Sequence, residues 1–122
     1  MNDSDKQLHS GNEDKEKCKK KMIAIRDSLD VLYGKWKIPI IAAVYYGNKR
    51  FKDIKNEIPG LTDKSLAKEL KEMVGDGLLA RVTIDAFPPL VQYELTEYSE
   101  SLKPVIDALF EWGFKHRKKM LE

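Results

Sequence analysis

Histidine and cysteine are nearly missing from this chain of 122 residues, which holds only His9, His116 and Cys18. A single cysteine excludes an internal disulfide, so nothing points to an oxidising compartment. Three such residues, widely separated, do not make the ligand set of a structural zinc site. They do not make a nucleophile and base pair either. His9 stands in a polar stretch and His116 in the basic run KHRKK, without the preorganised partners that acid–base catalysis needs. His116 reads as a solvated or helix-dipole histidine. No enzyme, metal site or cofactor is expected. Long apolar runs are also absent. None reaches the roughly 18 residues of a membrane span, and the N-terminus lacks the apolar segment of a signal peptide. The expectation is a cytoplasmic protein, independent of membranes, that acts through its surface.

At 42% hydrophobic and 34% charged, the rest of the composition suffices for one core and a solvated shell. Residues 1–16 set Leu8 among Asn, Asp, Ser, Gly and Lys, too little apolar surface to offset the entropy of ordering. They are expected to be a flexible tail, with residues 17–122 forming the domain. The formal net charge of +2 hides an asymmetry. Residues 1–17 hold five acids and three lysines, whereas the remainder has 19 Lys and Arg against 15 Asp and Glu. That positive balance is modest for a nucleic-acid binder, so clustering of the cations has to carry the argument.

Apolar spacing predicts a first helix from about Lys17 to Tyr33, with Met22, Ile25, Leu29 and Leu32 on one stripe and Gly34 at its end. A second, apolar around much of its surface, is expected over Lys35–Tyr46, with Pro39 in its first turns. A short third helix, Arg50–Glu57, leads into a Pro59-Gly60 turn. A fourth, capped by Thr62, runs to about Val74 with Leu66, Leu70 and Met73 inward. Residues 81–85 and 90–95 alternate as two strands joined across Ala86-Phe87-Pro88-Pro89. A last helix is expected from Thr96 to about Lys119, with Pro104 bending it. The fold class is α+β and mostly α: a winged helix-turn-helix with a two-stranded β wing and additional N- and C-terminal dimerisation helices.

Such a fold holds one helix against a DNA groove, first turns toward base edges and flanking cations on phosphates. Here the fourth helix offers Thr62, Lys64, Ser65, Lys68 and Lys71, the third is preceded or begun by Lys49, Arg50 and Lys52, and Arg81 opens the wing. The competing reading is a solvated helix face, with Glu69 and Glu72 balancing the lysines and Asp63 weighing against phosphate. At the first helical position, however, Asp63 also complements the helix dipole.

Several short motifs occur together in order: GKW at 34–36, RF at 50–51, IPGLT at 58–62, GLLAR at 77–81, PP at 88–89, V-x-Y-x-LT at 91–96, PV at 104–105 and WG at 112–113. In this the chain resembles the HxlR-type, MarR-like winged helix-turn-helix regulators over roughly Cys18 to Gly113. The resemblance implies a bacterial transcriptional regulator, expected to be a repressor. It would be a homodimer on a pseudo-palindromic operator in double-stranded DNA, joined through the first and last helices. Met22, Ile25, Leu29, Leu109, Phe110 and Trp112 are the expected interface residues, with core packing as the alternative for Phe110 and Trp112. Carried onto this chain, the family's DNA contacts fall on Lys64, Ser65, Lys68, Arg50 and Arg81. Two departures stand out. Leu90 follows the two prolines where relatives commonly have arginine, and Ala67-Lys68-Glu69 replaces more polar recognition residues.

Cys18 occupies a place where many relatives carry a cysteine that electrophiles or disulfide formation act upon. Lys17, Lys19, Lys20 and Lys21 surround it with the cations that favour a thiolate, and a nearby helix N-terminus is expected to add to them. A bridge between Cys18 of two subunits, or an adduct with a small thiol or electrophile, is the expected chemistry; an incidental surface cysteine is the alternative. A second reading of the whole chain is a winged-helix protein- or ligand-interaction module without DNA binding. In it Tyr45, Tyr46, Phe87, Tyr93, Tyr98, Phe110 and Trp112 would line a pocket at the dimer seam.

Overall fold

A computed structural model of the chain describes residues 11–122. It divides into two compact units, one ending at Tyr33 and one spanning Gly34–Glu122.

The first unit is a single described helix, α1, Gly11–Val31. It begins six residues ahead of the expected start at Lys17, so residues 11–16 are helical. Residues 1–10 lie outside the described residues. The early start has a local cause. Glu, Lys and Asp dominate this stretch, Glu and Lys are good helix formers, and Glu13 and Asp14 in the first turn complement the dipole. Met22, Ile25 and Leu29 are all exposed, at 48%, 49% and 62%.

The second unit opens with α2, Lys37–Tyr45, and Pro39 falls in its first turn, where the missing N–H is not needed. Ile40, Ile41, Ala43 and Val44 are buried. Helix α3, Phe51–Glu57, buries Ile54, and Ile58 follows it into the core. The turn to the next helix passes through Gly60 at φ +82, a left-handed conformation that glycine adopts without strain. Helix α4, Asp63–Gly75, is capped as its sequence predicts: the Thr62 side chain accepts from the Ser65 N–H at 3.1 Å. Leu66, Leu70 and Met73 form its buried stripe.

Strands β1, Leu79–Ile84, and β2, Leu90–Leu95, pair antiparallel, with Leu79 opposite Leu95 and Arg81 opposite Tyr93. The first strand starts two residues before the expected Arg81, because Leu79 enters the core directly after Leu78. The tip between the strands leaves Phe87 fully exposed.

The C-terminal region departs from the single bent helix expected. Thr96 caps a four-residue helix, α5, Glu97–Glu100, and a separate helix, α6, Lys103–Leu121, follows it. Pro104 therefore starts α6 rather than bending a longer helix, since proline suits the first turn, where no N–H partner is required. Thr96 is a junction: its hydroxyl accepts from the Ser99 N–H at 3.2 Å and donates to the Gly77 carbonyl at 2.7 Å. The buried Ser99 hydroxyl donates to the Leu78 carbonyl at 2.6 Å. These bonds tie the end of the wing to the end of α4.

One core results, from Ile40, Ile41 and Val44 on α2 through Ile54, Leu61, Leu66, Leu70 and Met73 to Leu78, Leu79 and Ile106. Ile41 is fully buried at its centre. Ile41→Ala is expected to cost about 2–5 kcal/mol in urea unfolding. A loss below about 1 kcal/mol would place Ile41 outside the core that supports α4.

Candidate nucleic-acid interface

The outward side of α4 follows from its inward one. At about 100° per residue, Lys64, Lys68 and Lys71 fall within roughly 60° of arc, on the side away from Leu66, Leu70 and Met73. All three lysines are exposed, and Ser65 is half-buried. Thr62 contributes its hydroxyl as the cap, which leaves it exposed at the head of the helix. The start of α4 adds to this, since a helix N-terminus attracts phosphate.

Asp63 does not stand as an isolated negative charge there. Its carboxylate lies 3.3 Å from the Lys55 Nζ, an exposed pair that couples the end of α3 to the start of α4. The pair is too solvated to matter much to stability, but it offsets the acid beside the cationic face.

The flanking cations sit where the backbone brings them. Arg50 occupies the N-cap position of α3 in extended conformation, and Lys52 follows in the first turn; both are exposed. The Lys49 carbonyl accepts from the Tyr93 N–H at 2.7 Å, which joins the approach to α3 to the second wing strand. Arg81, opposite Tyr93 on the wing, shares a cavity of about 270 Å³ with Phe51, Ala67, Leu70, Lys71, Val74 and Tyr93. The root of the wing thus closes against α4, with Lys71 and Arg81 bordering the same hollow. Leu90, half-buried, begins β2 opposite Ile84.

Other expected residues fall elsewhere. Leu109, Phe110 and Trp112 on α6 are exposed at 50%, 67% and 68%, so Phe110 and Trp112 are not part of the core of the second unit. Trp112 instead stacks on His116, ring centroids 5.1 Å apart, and Phe110 lies 6.0 Å from Phe114. Cys18 is exposed and lies in the second turn of α1. It is not at a helix N-terminus as expected, because α1 starts at Gly11, and the dipole's influence fades beyond the first turn. The aromatics do not gather around one pocket: Tyr45 borders a cavity of about 540 Å³ with Lys49 and Lys103, Tyr93 lines the one beside α4, and Phe87 is at the wing tip. At the first of these, the exposed Lys103 donates to Asp107 at 3.0 Å, and that carboxylate raises its pKa. Among the described residues no cluster of His, Cys, Asp and Glu could hold a metal ion, and no helix is long and apolar enough to cross a membrane.

The family model for HxlR-like helix-turn-helix proteins matches residues 31–120. The chain belongs to the HxlR-like helix-turn-helix family. The HTH-type transcriptional regulator YtcD of Bacillus subtilis (strain 168) is 39% identical over 98 residues, covering 80% of this chain and 78% of that protein. A crystal structure of YtcD superimposes with a TM-score of 0.70 at 37% identity, covering 77% of this chain and 96% of that one. The redox regulator HypR in its reduced form gives a TM-score of 0.71 at 33% identity, over 80% and 96% of the two chains. Diamide-treated YodB from B. subtilis gives 0.62 at 31% identity, over 74% and 89%. The winged helix-turn-helix of this HxlR-like chain is therefore a transcriptional-regulator fold.

One residue at this site escapes the sequence reading. Lys37 is 1% exposed, and its Nζ lies 2.9 Å from Glu69 and 3.4 Å from Glu72. The two glutamates that read as balancing surface lysines face this buried cation instead. The signal was available: Lys37 precedes Ile40, Ile41 and Val44 by three, four and seven positions, and so shares their buried face.

Proposed function

We propose that this chain is a sequence-specific DNA-binding repressor acting as a homodimer on a pseudo-palindromic operator. The observation that carries the reading is the cationic outer side of α4, flanked by Arg50 and Lys52 on one element and Arg81 on the wing. Lys64, Ser65 and Lys68 meet base edges, lysine donating to guanine O6 and N7. Lys49, Arg50, Lys52, Lys71 and Arg81 hold phosphates and set the register, while Thr62 presents the helix start.

The dimer reading rests on exposed apolar residues at both ends of the chain. Met22, Ile25 and Leu29 on α1, and Leu109, Phe110 and Trp112 on α6, are each about half or more exposed. Large apolar side chains left in water at this density favour a partner surface. Two α4 helices related by a two-fold axis then meet two half-sites.

Cys18 is the proposed sensing residue. Its exposure and its lysine neighbours suit attack on an electrophile or a small disulfide. A Cys18 to Cys18 bridge between subunits further needs their Cα atoms within about 7 Å. That HypR and YodB were solved in oxidised or diamide-treated states as well as reduced ones motivates the reading for this chain.

Three measurements test these points. In titrations of operator and random duplexes over a range of salt, Arg50→Ala is expected to weaken both and to lower the salt slope by about one unit. Lys68→Ala should cost about 1–3 kcal/mol on operator and much less on random sequence; equal losses would remove Lys68 from base reading. Phe110→Asp with Trp112→Asp should halve the mass seen by sedimentation at micromolar concentration, and an unchanged mass would move the interface elsewhere. An electrophile or disulfide oxidant should alter operator affinity of the parent and leave Cys18→Ser unchanged; identical responses would end the sensing role.

A further inference from the structure

Lys37 is, among the described residues, the one charged side chain in the core. It stands in the first turn of α2, and both carboxylates it meets, Glu69 and Glu72, belong to α4. Stability alone gives little reason for this arrangement. A buried ion pair seldom outperforms well-packed apolar residues of the same volume, because desolvation offsets the attraction. Directionality is what an ion pair adds and an apolar contact lacks.

The two glutamates are three positions apart and occupy the flank of α4 between its buried stripe and its lysine face. One ammonium held by both resists rotation of α4 about its own axis. Packing of Leu66, Leu70 and Met73 fixes which side of the helix faces inward, but rounded apolar contacts tolerate small rolls. A roll of about 15° carries a side-chain head roughly 6 Å from the axis through about 1.5 Å. Productive recognition geometry tolerates only about 0.5 Å. Engagement by Lys37 has a second effect: it keeps two carboxylates of the recognition helix turned toward a cation instead of toward DNA phosphates.

We propose that Lys37, through Glu69 and Glu72, is a positioning and specificity-determining residue for DNA reading that makes no contact with DNA. The proposal rests on α4 being the helix that reads the operator. Removing Lys37 alone strands two partly buried carboxylates, so the informative variant is Lys37→Met with Glu69→Gln and Glu72→Gln. It leaves no orphaned charge and makes the protein one unit more positive.

The experiment compares parent and triple variant in binding to operator and to random duplex, alongside thermal unfolding. Expected is a folded protein whose random-duplex affinity is unchanged or slightly raised and whose operator preference falls about tenfold. Glu72→Gln alone, at a position that is 37% exposed and so tolerant of change, keeps the shorter pair and should lower the preference about threefold. A purely structural role would move unfolding or both affinities together, not their ratio. Operator preference within about twofold of the parent in both variants overturns the proposal. A parent without operator preference overturns the DNA reading itself, and this proposal with it.

Discussion

Burial of Leu66, Leu70 and Met73 along one side of α4 is the constraint from which the rest of the molecule takes its sense. A helix that must bury that stripe in the core has to turn Lys64, Lys68 and Lys71 outward. The Thr62 cap fixes where it starts, and the Gly60 turn fixes the approach from α3. The wing then closes the far side, where Arg81 and Lys71 share a hollow and Tyr93 is tied to Lys49. Hydrophobic burial thus determines an electrostatic surface, although the outward lysines themselves take no part in the core.

The same logic divides the apolar residues into two populations. Those on α2, α3 and α4 satisfy each other inside the second unit. Those on α1 and much of α6 remain exposed, and Trp112 and Phe110 have ring contacts with His116 and Phe114 of their own helix. An unsatisfied face at each end of a helix-turn-helix domain is the physical counterpart of the proposed two-fold assembly. Only a second copy brings two recognition helices to one duplex at a fixed spacing.

Much of this was legible in the chain. Periodicity located α2, α3 and α4, Thr62 announced its cap, and alternation with a proline-rich tip marked the wing. Each of these signals is local, and each agrees with the global fold. What remained hidden depends on contacts distant in sequence or on competition between local rules. The break before α6 went unread because Pro104 was weighed as a kink when it also fits a first turn. The early start of α1 was missed because a polar stretch resembles a tail even when its residues favour helix. Lys37 was passed over because a lysine is ordinarily taken to be solvated, while its partners lie 32 and 35 residues away. The reading of Glu69 and Glu72 failed for the same reason.

The central claim is that α4 reads DNA sequence from a two-fold assembly. Selection of bound molecules from random-sequence duplexes, followed by sequencing, addresses it most directly. The account predicts an enriched motif of two inverted half-sites whose centres lie about 10 base pairs apart or a multiple of that. A bound pool indistinguishable from the input, under salt conditions where the protein still retains duplex, would contradict it.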